Sequence, residues 1–508
     1  MLTKIQAAAL NGLNSELVEV ETDISSGFPS FNIVGLPDTS VQEARERIRA
    51  AIKNSGLDFP STYRITVNMA PADLPKEGAA YDLPMAVGII LSSLKKEIDL
   101  NDSLFAGELA LDGNLRGITG ALPIAILAKE KGIKKLFVPE ANAAEAGLVK
   151  EIQIYPIKKL IDLAEYFLNA KEIKPWTEEI NAPNFSQVFF EHDLSEIRGQ
   201  EYAKRALEIA ASGSHNIIFS GPPGSGKTLL ARTLPSILPP MTREESLEVT
   251  RIFSVAGLTS AQNPLIQTRP FRSPHHSASL ISLVGGGRIP RPGEITLSHR
   301  GVLFLDEFPE FPRGVLESLR QPMEDGIITI SRINSSFTFP ARFMLIASQN
   351  PCPCGFANDM EKQCVCSSIA IAKYQKKISG PILDRIDLQV EMPRVEFSKI
   401  TDFTQGETSA ATRERVRAAR ERQLFRFQDI KIFSNSEMGP KELEKFCRLP
   451  NDALLLLKEA GQKMHLSGRA FHRLLKVSRT IADMAGQENL KLEQMAEAIQ
   501  YRGQNERN

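Results

Sequence analysis

Apolar side chains at Val41, Ala44, Ile48 and Ala51 recur at the spacing that places them on one face of a helix. The stretch just before them, Ser-Val-Gln-Glu, reads as a capping box in which Ser40 serves the free amide at Glu43 and Glu43 reaches back. Around this helix the pattern shortens, and "ELVEVETDI", "RITVNMA" and "KKLFVPE" read as apolar strands. Residues 1–168 are therefore predicted to form an α/β or α+β domain. A polar, Pro-containing stretch of poor periodicity, 169–192, reads as a linker. Over 193–400 strands alternate with helices again, as an α/β core with a parallel sheet requires. Residues 401–508 keep helical periodicity with almost no strand signal, and no internal repeat or low-complexity segment interrupts the series.

At 508 residues the chain is too long for one hydrophobic core. Hydrophobic residues make up 42% and charged residues 24%, the composition of an ordinary globular protein. The longest nearly uncharged run, "LPMAVGIILSSL" at 83–94, is much shorter than the roughly 20 residues a bilayer requires, so no membrane span is expected. The start lacks the apolar core of a secretory signal, and a cytoplasmic location follows as an expectation. Sixty-one basic residues balance 61 acidic ones. No global charge recruits nucleic acid, so any contact with it has to come from local basic patches.

The strongest chemical signal is "HNIIFSGPPGSGKTLLAR". An apolar strand runs into Gly221, Pro222, Pro223, Gly224, Ser225, Gly226, Lys227 and Thr228, and a helical pattern follows. Glycines suit this loop because backbone amides must wrap a β-phosphate with no side chain in the way; Lys227 then reaches the β and γ phosphates and Thr228 the Mg²⁺. A second strand, "GVLFLDEF", ends in acids: Asp306 would hold Mg²⁺ through water, and Glu307 would polarise the attacking water. The expected ligands are ATP and Mg²⁺. A third strand, "RFMLIASQN", ends at Asn350, placed for the γ-phosphate or that water.

With "SGPILDRIDL" and "HLSGRAFHRLLKVSR" added, the sequence resembles the AAA+ ATPases of the magnesium-chelatase-like branch. The resemblance implies that Asn350 is sensor 1, Arg385 the finger reaching a neighbouring subunit's nucleotide, and Arg469 sensor 2. An arginine supplied in trans stabilises the charge that phosphoryl transfer spreads over the γ oxygens, and such a finger requires a ring. The bland alternatives are an ion pair of Arg385 with Asp384 or Asp387 and a solvated helix face for Arg469. Two further segments match devices of that branch. "RPFRSPHHSASLISLVGGGRIPRPGEITLSHRG" carries Arg272, His275, His276, Arg288 and Arg291, and "GIITISRINSSFTFPA", with Arg332, reads as two strands turning at Asn334 and Ser335. In rings of this branch such segments face the central pore, where they would engage a polymer; the other reading is packing between subunits.

"NMAPADLPKEGAAYDLPMAVGII" resembles the nucleophile loop of the Lon-type (S5-like) peptidase domain, but Ala80 occupies the serine position. "GELALDGNLRGITGALPIAI" resembles the segment carrying the catalytic lysine, and Leu122 stands there. The domain is expected to be the fold without the peptidase, since nucleophile and base are both missing. Together, this Lon-like domain, the AAA+ core and a helical lid, with "RPFRSPHHSAS", "PRPGEI", "NPCPCG" and "SGPILDRIDL", resemble the ComM/YifB family. For that family the implied activity is a hexameric, ATP-driven DNA motor that migrates branches as incoming single-stranded DNA is integrated in natural transformation.

Cys352, Cys354, Cys364 and Cys366 form two Cys-x-Cys pairs just after Asn350. In a reducing compartment four such thiols suit tetrahedral Zn²⁺ better than disulfides, although the pairs are tighter than the usual knuckle; reduced packing or redox-labile cysteines is the other reading. Cys447 is isolated and reads as a buried helix residue. "ATRERVRAARERQLFRFQ" places Arg413, Arg417 and Arg420 on one helical face with Arg415, Arg422 and Arg426 nearby. That stripe suits DNA phosphates, a solvated face or a neighbouring subunit equally. The leading expectation is a DNA translocase; the alternatives are a metal-insertion motor and a protein remodeller.

Overall fold

The computed structural model describes residues 2–94, 98–177, 190–287, 290–331, 336–357, 359, 361–395 and 406–502. The chain divides into two compact units, the first comprising the amino-terminal region together with Thr242–Gln267, the second most of the remainder. Among the described residues no helix is long and apolar enough to cross a membrane.

The first unit is built on a seven-stranded sheet in the order Ser30–Val34, Arg64–Ala70, Asn14–Ser25, Leu2–Asn11, Ser103–Phe105, Lys135–Pro139, Gln153–Ile157. Its middle is antiparallel and both flanks are parallel. The three strands expected from the apolar runs are all present. The helix Thr39–Asn54 buries Val41, Ala44, Ile48 and Ala51 as their spacing requires. Its cap is not the expected one, however. Val41 N–H donates to Asp38 Oδ1 at 2.8 Å, and Ser40 lies inside the first turn. A carboxylate two residues upstream serves the free amides and also meets the positive end of the helix, so the helix begins before Ser40. The apolar run 83–94 lies within the buried helix Asp82–Leu94, where a Cβ on Gly88 would stand 2.4 Å from Thr22 Oγ1 on the sheet.

The helix Arg243–Ala256, which follows the phosphate-loop helix in sequence, packs in this first unit. Thr242 and Glu245 cap it reciprocally. Arg251 Nε donates to Leu13 O at 2.8 Å, and Gly120 N–H to Ser254 O at 3.1 Å. Buried Glu145 accepts from the Ser254 hydroxyl and, at 3.0 Å, from Thr259 Oγ1. Within the expected linker, Trp176 N–H donates to Ile154 O at 2.7 Å, while residues 178–189 lie outside the described set.

The second unit carries a five-stranded sheet in the order Phe271–Arg272, Val302–Leu305, Met344–Gln349, Ile217–Ser220, Leu388–Glu391, parallel throughout. Its central strands are continuous buried apolar runs because helices cover both faces of such a sheet. The carboxy-terminal part contributes the helices Ser409–Arg426, Pro440–Phe446, Asn451–Lys463, Gly468–Met484 and Leu492–Gln500, with no strand among its described residues. A buried polar cluster ties them to the sheet. Asp387 accepts from Asn216 N–H at 2.8 Å and from Arg473 Nη1 at 2.6 Å, while His215 Nε2 meets Thr480 Oγ1 at 2.7 Å. Burial alone would raise the Asp387 carboxyl; Arg473 and His215 outweigh it and hold the group far below the usual carboxylate range. Removing Arg473 would strand a buried charge, so Arg473→Met is expected to cost about 3–5 kcal/mol. Chemical denaturation monitored by the circular dichroism of the helices checks this; an unchanged midpoint would show that Asp387 finds another partner.

Candidate nucleotide-binding site

The strand Ile217–Ser220 delivers the chain into the loop 221–226, and the helix Lys227–Ile237 leaves it. Gly224 and Gly226 adopt φ of +80° and +88°, which side chains resist. A Cβ on Gly221 would stand 2.2 Å from Met392 O, so the first turn of the loop admits no side chain either. Lys227 is buried. Its Nζ donates to Gly221 O at 2.7 Å and Pro222 O at 2.8 Å, and lies 3.4 Å from Ser225 Oγ. Burial pulls its pKa down to about 8 against the opposing pull of Asp306. A cation held chiefly by neutral carbonyl and hydroxyl oxygens in a partly desolvated loop gains greatly from an arriving phosphate, which is what the motif implies.

Across from the loop, Thr228 Oγ1 donates to Asp306 Oδ2 at 2.9 Å. The other oxygen, Oδ1, accepts from the Ser348 hydroxyl, and Ser348 Oγ also receives Glu307 N–H at 3.3 Å. Ser348 joins the acidic strand to the third strand and was not anticipated; its position two residues before Asn350 was the available signal. Glu307 sits in the left-handed region at φ 53°, which turns its exposed carboxylate out of the strand. His276 Nδ1 lies 3.1 Å from Glu307 Oε2. A histidine expected at a DNA-contacting loop thus touches the expected water-polarising carboxylate.

Asn350 follows directly on the third strand, Met344–Gln349, and is partly buried. Immediately after it the thiols converge, with Sγ separations of 3.4 Å for Cys352 and Cys354, 3.7 Å for Cys352 and Cys364, and 3.5 Å for Cys354 and Cys364. All four Sγ atoms, Cys366 included, lie within 4.8 Å of one another. Backbone amides of Phe356 and Val365 draw the Cys354 thiol down to about 6, towards the thiolate that metals bind. Gly355, at φ +87°, is pressed on the phosphate loop: a Cβ there would stand 2.6 Å from Pro223 Cδ and 3.8 Å from Asn350 Cγ. The cysteine loop is therefore wedged beside both loop and sensor strand. Cys447 is buried at the end of the helix Pro440–Phe446.

Arg385 pairs with Glu324 rather than with Asp384 or Asp387, and Arg469, half-exposed at its helix start, shares the same carboxylate. Arg385 Nη2 binds Glu324 Oε2, and Arg469 Nη2 lies 2.7 Å from Glu324 Oε1. The expected polymer contacts divide. Arg272 is tied to Glu294 at 2.6 and 2.8 Å, His275 bonds Ser277 Oγ at 2.8 Å and lies tilted against the His276 ring, and Arg291 is exposed. Arg288, Arg332, Asn334 and Ser335 lie outside the described residues; the described strands Ile327–Ser331 and Ser336–Pro340 pair antiparallel. The arginine stripe on Ser409–Arg426 is largely consumed internally. Arg420 is buried on the carbonyls of Ala211 and Ser212, Arg426 pairs with Asp483, Arg415 with Glu208 and Glu407, and Arg422 donates to Asp483 O. Arg413 donates to Ser236 O, which leaves Arg417, paired with Glu414 and Glu421, as the solvated member. In the first unit, Ala80 lies in the short turn Ala79–Tyr81, and Leu122 is buried in the helix Ala121–Glu130.

Three family profiles cover most of the chain: "Subunit ChlI of Mg-chelatase" over residues 20–142, "Magnesium chelatase, subunit ChlI" over 193–400, and "Magnesium chelatase, subunit ChlI C-terminal" over 406–502. The competence protein ComM of Haemophilus influenzae is 46% identical over 99% of this chain and 97% of its own length. The YifB protein of Escherichia coli is 42% identical over 99% and 97%. Lon protease 2 of Bacillus subtilis is 28% identical over 35% of each chain. Because Gly355 combines a positive φ with contact on Pro223, Gly355→Ala is expected to weaken ATP binding by about tenfold. Titration with a fluorescent ATP analogue measures it, and wild-type affinity would mean that the cysteine loop yields without disturbing the phosphate loop.

Proposed function

The chain belongs to the ComM/YifB family of magnesium-chelatase-like AAA+ ATPases, and on that premise we propose that it is a ring-forming, cytoplasmic DNA motor that migrates branches while single-stranded DNA is integrated. The observation that carries this reading is the convergence of Lys227, Thr228, Asp306 and Ser348 at one end of a parallel sheet, in a chain that corresponds to a competence protein along its whole length. Members of such a family use ATP and Mg²⁺, and the residues fit both. The loop 221–226 and Lys227 would hold the phosphates, and Thr228 with Asp306 would hold Mg²⁺. Glu307 would take a proton from the attacking water, and Asn350 would hold that water or the γ-phosphate. Arg385 would reach a neighbouring subunit's nucleotide, in a ring expected to be hexameric, and Arg469 would sense the γ-phosphate. The polymer would be engaged by the segment around His275 and Arg291 and by the hairpin 327–340.

The four thiols fit zinc. A tetrahedral site with Zn–S of about 2.3 Å needs sulfurs about 3.8 Å apart, close to the separations of 3.4–3.7 Å found here. Bound there, zinc would brace the loop that presses on Pro223; Cys354, with its depressed pKa, is the ligand already nearest the required thiolate. The Lon-like domain carries a methyl at Ala80 and an apolar side chain at Leu122, so it acts as a scaffold without peptidase chemistry. Likeness to a Lon protease favours a second reading, a remodeller of proteins, which predicts ATP turnover indifferent to DNA.

The deciding assay is ATP-dependent branch migration of a synthetic three-strand junction: movement by wild type and none by Lys227→Ala is expected, and turnover without movement or DNA response would favour the remodeller. Glu307→Gln is expected to bind ATP while its turnover falls about 100-fold or more, and normal turnover would remove Glu307 from the role of base. Metal quantification of the purified protein should find about one zinc per chain, lost together with two of the cysteines in a Cys364→Ser, Cys366→Ser double variant. No zinc in wild type would leave the thiols as reduced packing.

A further inference from the structure

One carboxylate holds two arginines to which the family resemblance assigns separate duties. Glu324 Oε2 binds Arg385 Nη2, and Glu324 Oε1 lies 2.7 Å from Arg469 Nη2. Arg385 is only 6% exposed. Its Nη1 donates to Pro381 O at 2.8 Å, and its Nε is buried with no acceptor. Arg469, by contrast, has a side chain 56% exposed in the first turn of the helix Gly468–Met484. Two cations against one anion leave a local positive charge with a donor still free, a cluster able to take a second anion. The two arginines pull the Glu324 carboxyl below its ordinary range although burial opposes them.

The place of Glu324 in the chain gives the cluster a lever. It belongs to the helix Arg320–Asp325, which ends at Gly326, and the hairpin starts at the next residue, Ile327. Gly326 is in the left-handed region, and a Cβ there would stand 2.7 Å from Arg342 Cγ. Ala341 N–H donates to Gly326 O at 2.8 Å, closing the base of the hairpin. Only Asp325 and Gly326 separate Glu324 from that base, and the Ala341 hydrogen bond together with the close approach of Arg342 holds Gly326 in place, so a tilt of the hairpin displaces Glu324 with it.

We propose that Glu324 is a positioning residue that ties Arg385 and Arg469 to the hairpin, so that engagement of a polymer at the hairpin releases the arginine pair toward phosphate. The proposal rests on the proposed function for the identity of the polymer and for the phosphate-directed roles of Arg385 and Arg469. The carboxylate acts through the arginines and touches no nucleotide. Holding them in the resting state suppresses turnover; the polymer relieves the restraint.

The test is ATP turnover of the full chain with and without a three-strand DNA junction, for wild type, Glu324→Gln, Arg385→Ala and the double variant. Glutamine keeps the shape of the side chain and removes the charge. The expected result is a DNA-free rate raised about three- to fivefold in Glu324→Gln, the factor a single ion pair of this exposure supplies, with the ratio of DNA-stimulated to basal rate falling toward one. In the Arg385→Ala background Glu324→Gln should raise nothing. A wild-type DNA-free rate in Glu324→Gln overturns the proposal, as does a rise that persists without Arg385. If wild type itself ignores DNA, the motor reading fails, and the DNA-free comparison still decides the restraint. Should Glu324→Gln not fold, Glu324→Asp, too short to reach both guanidinium groups at once, is judged by the same criteria.

Discussion

The hydrogen bond from Thr228 to Asp306, 2.9 Å long, joins two strands' worth of chemistry that lie far apart in the chain. It exists only because the parallel sheet stops its strands at the same level. Ser220 pairs with Gln349, and Leu305 with Ala347, so the phosphate loop, the two acids and Ser348 emerge together at the carboxyl ends. A one-residue slip in any of these strands would turn Asp306 or Ser348 to the opposite face of the sheet and dissolve the site. Buried apolar runs on both sides of the sheet, from Ile217 to Ile346, are what make such a slip costly.

At two separate places the second unit holds positive groups with incomplete partners, Lys227 at the carboxyl ends of the strands and the Arg385–Arg469 pair beyond their amino ends, where Asn216 Nδ2 donates to Arg385 O. Lys227 rests on carbonyls, Arg385 keeps a buried donor unpaired, and Arg469 shares its carboxylate. Each arrangement is tolerable without nucleotide and improves with a polyanion, which is the physical content of a site preorganised for phosphate. The helix Ser409–Arg426 behaves differently. Its arginines other than the solvated Arg417 end largely on backbone carbonyls and carboxylates of the same unit, as at Arg420 and Arg426, so their charge holds the helix to the core.

The cysteine loop belongs to the same economy of space. Gly355 on Pro223, with Asn350 alongside, makes the thiol cluster a neighbour of the phosphate loop rather than a remote ornament. A metal held by the four thiols would stiffen a loop that lies against Pro223 and Asn350. The helix Arg243–Ala256 shows the complementary device, since Glu145 and Leu13 hold a segment that follows the phosphate-loop helix in sequence, and Thr242–Gln267 thereby belongs to the first compact unit.

By itself the amino-acid sequence determined whatever depends on local chemistry. The glycines of 221–226, the strand ending at Asp306 and Glu307, the helical face of Val41 to Ala51 and the four clustered cysteines are each written in residues within a few positions of one another. The start of the first helix was misread for a related reason: Asp38 and Ser40 are both good caps, and only the observed bond to Val41 chooses between them. The tertiary structure decided everything that joins distant segments. Ser348 on Asp306, His276 on Glu307, and Glu324 between Arg385 and Arg469 have no sequence spacing that announces them. Side-chain partners across a sheet or between helices are selected by packing geometry, and a chain read one residue at a time carries periodicity but not the distances that packing sets.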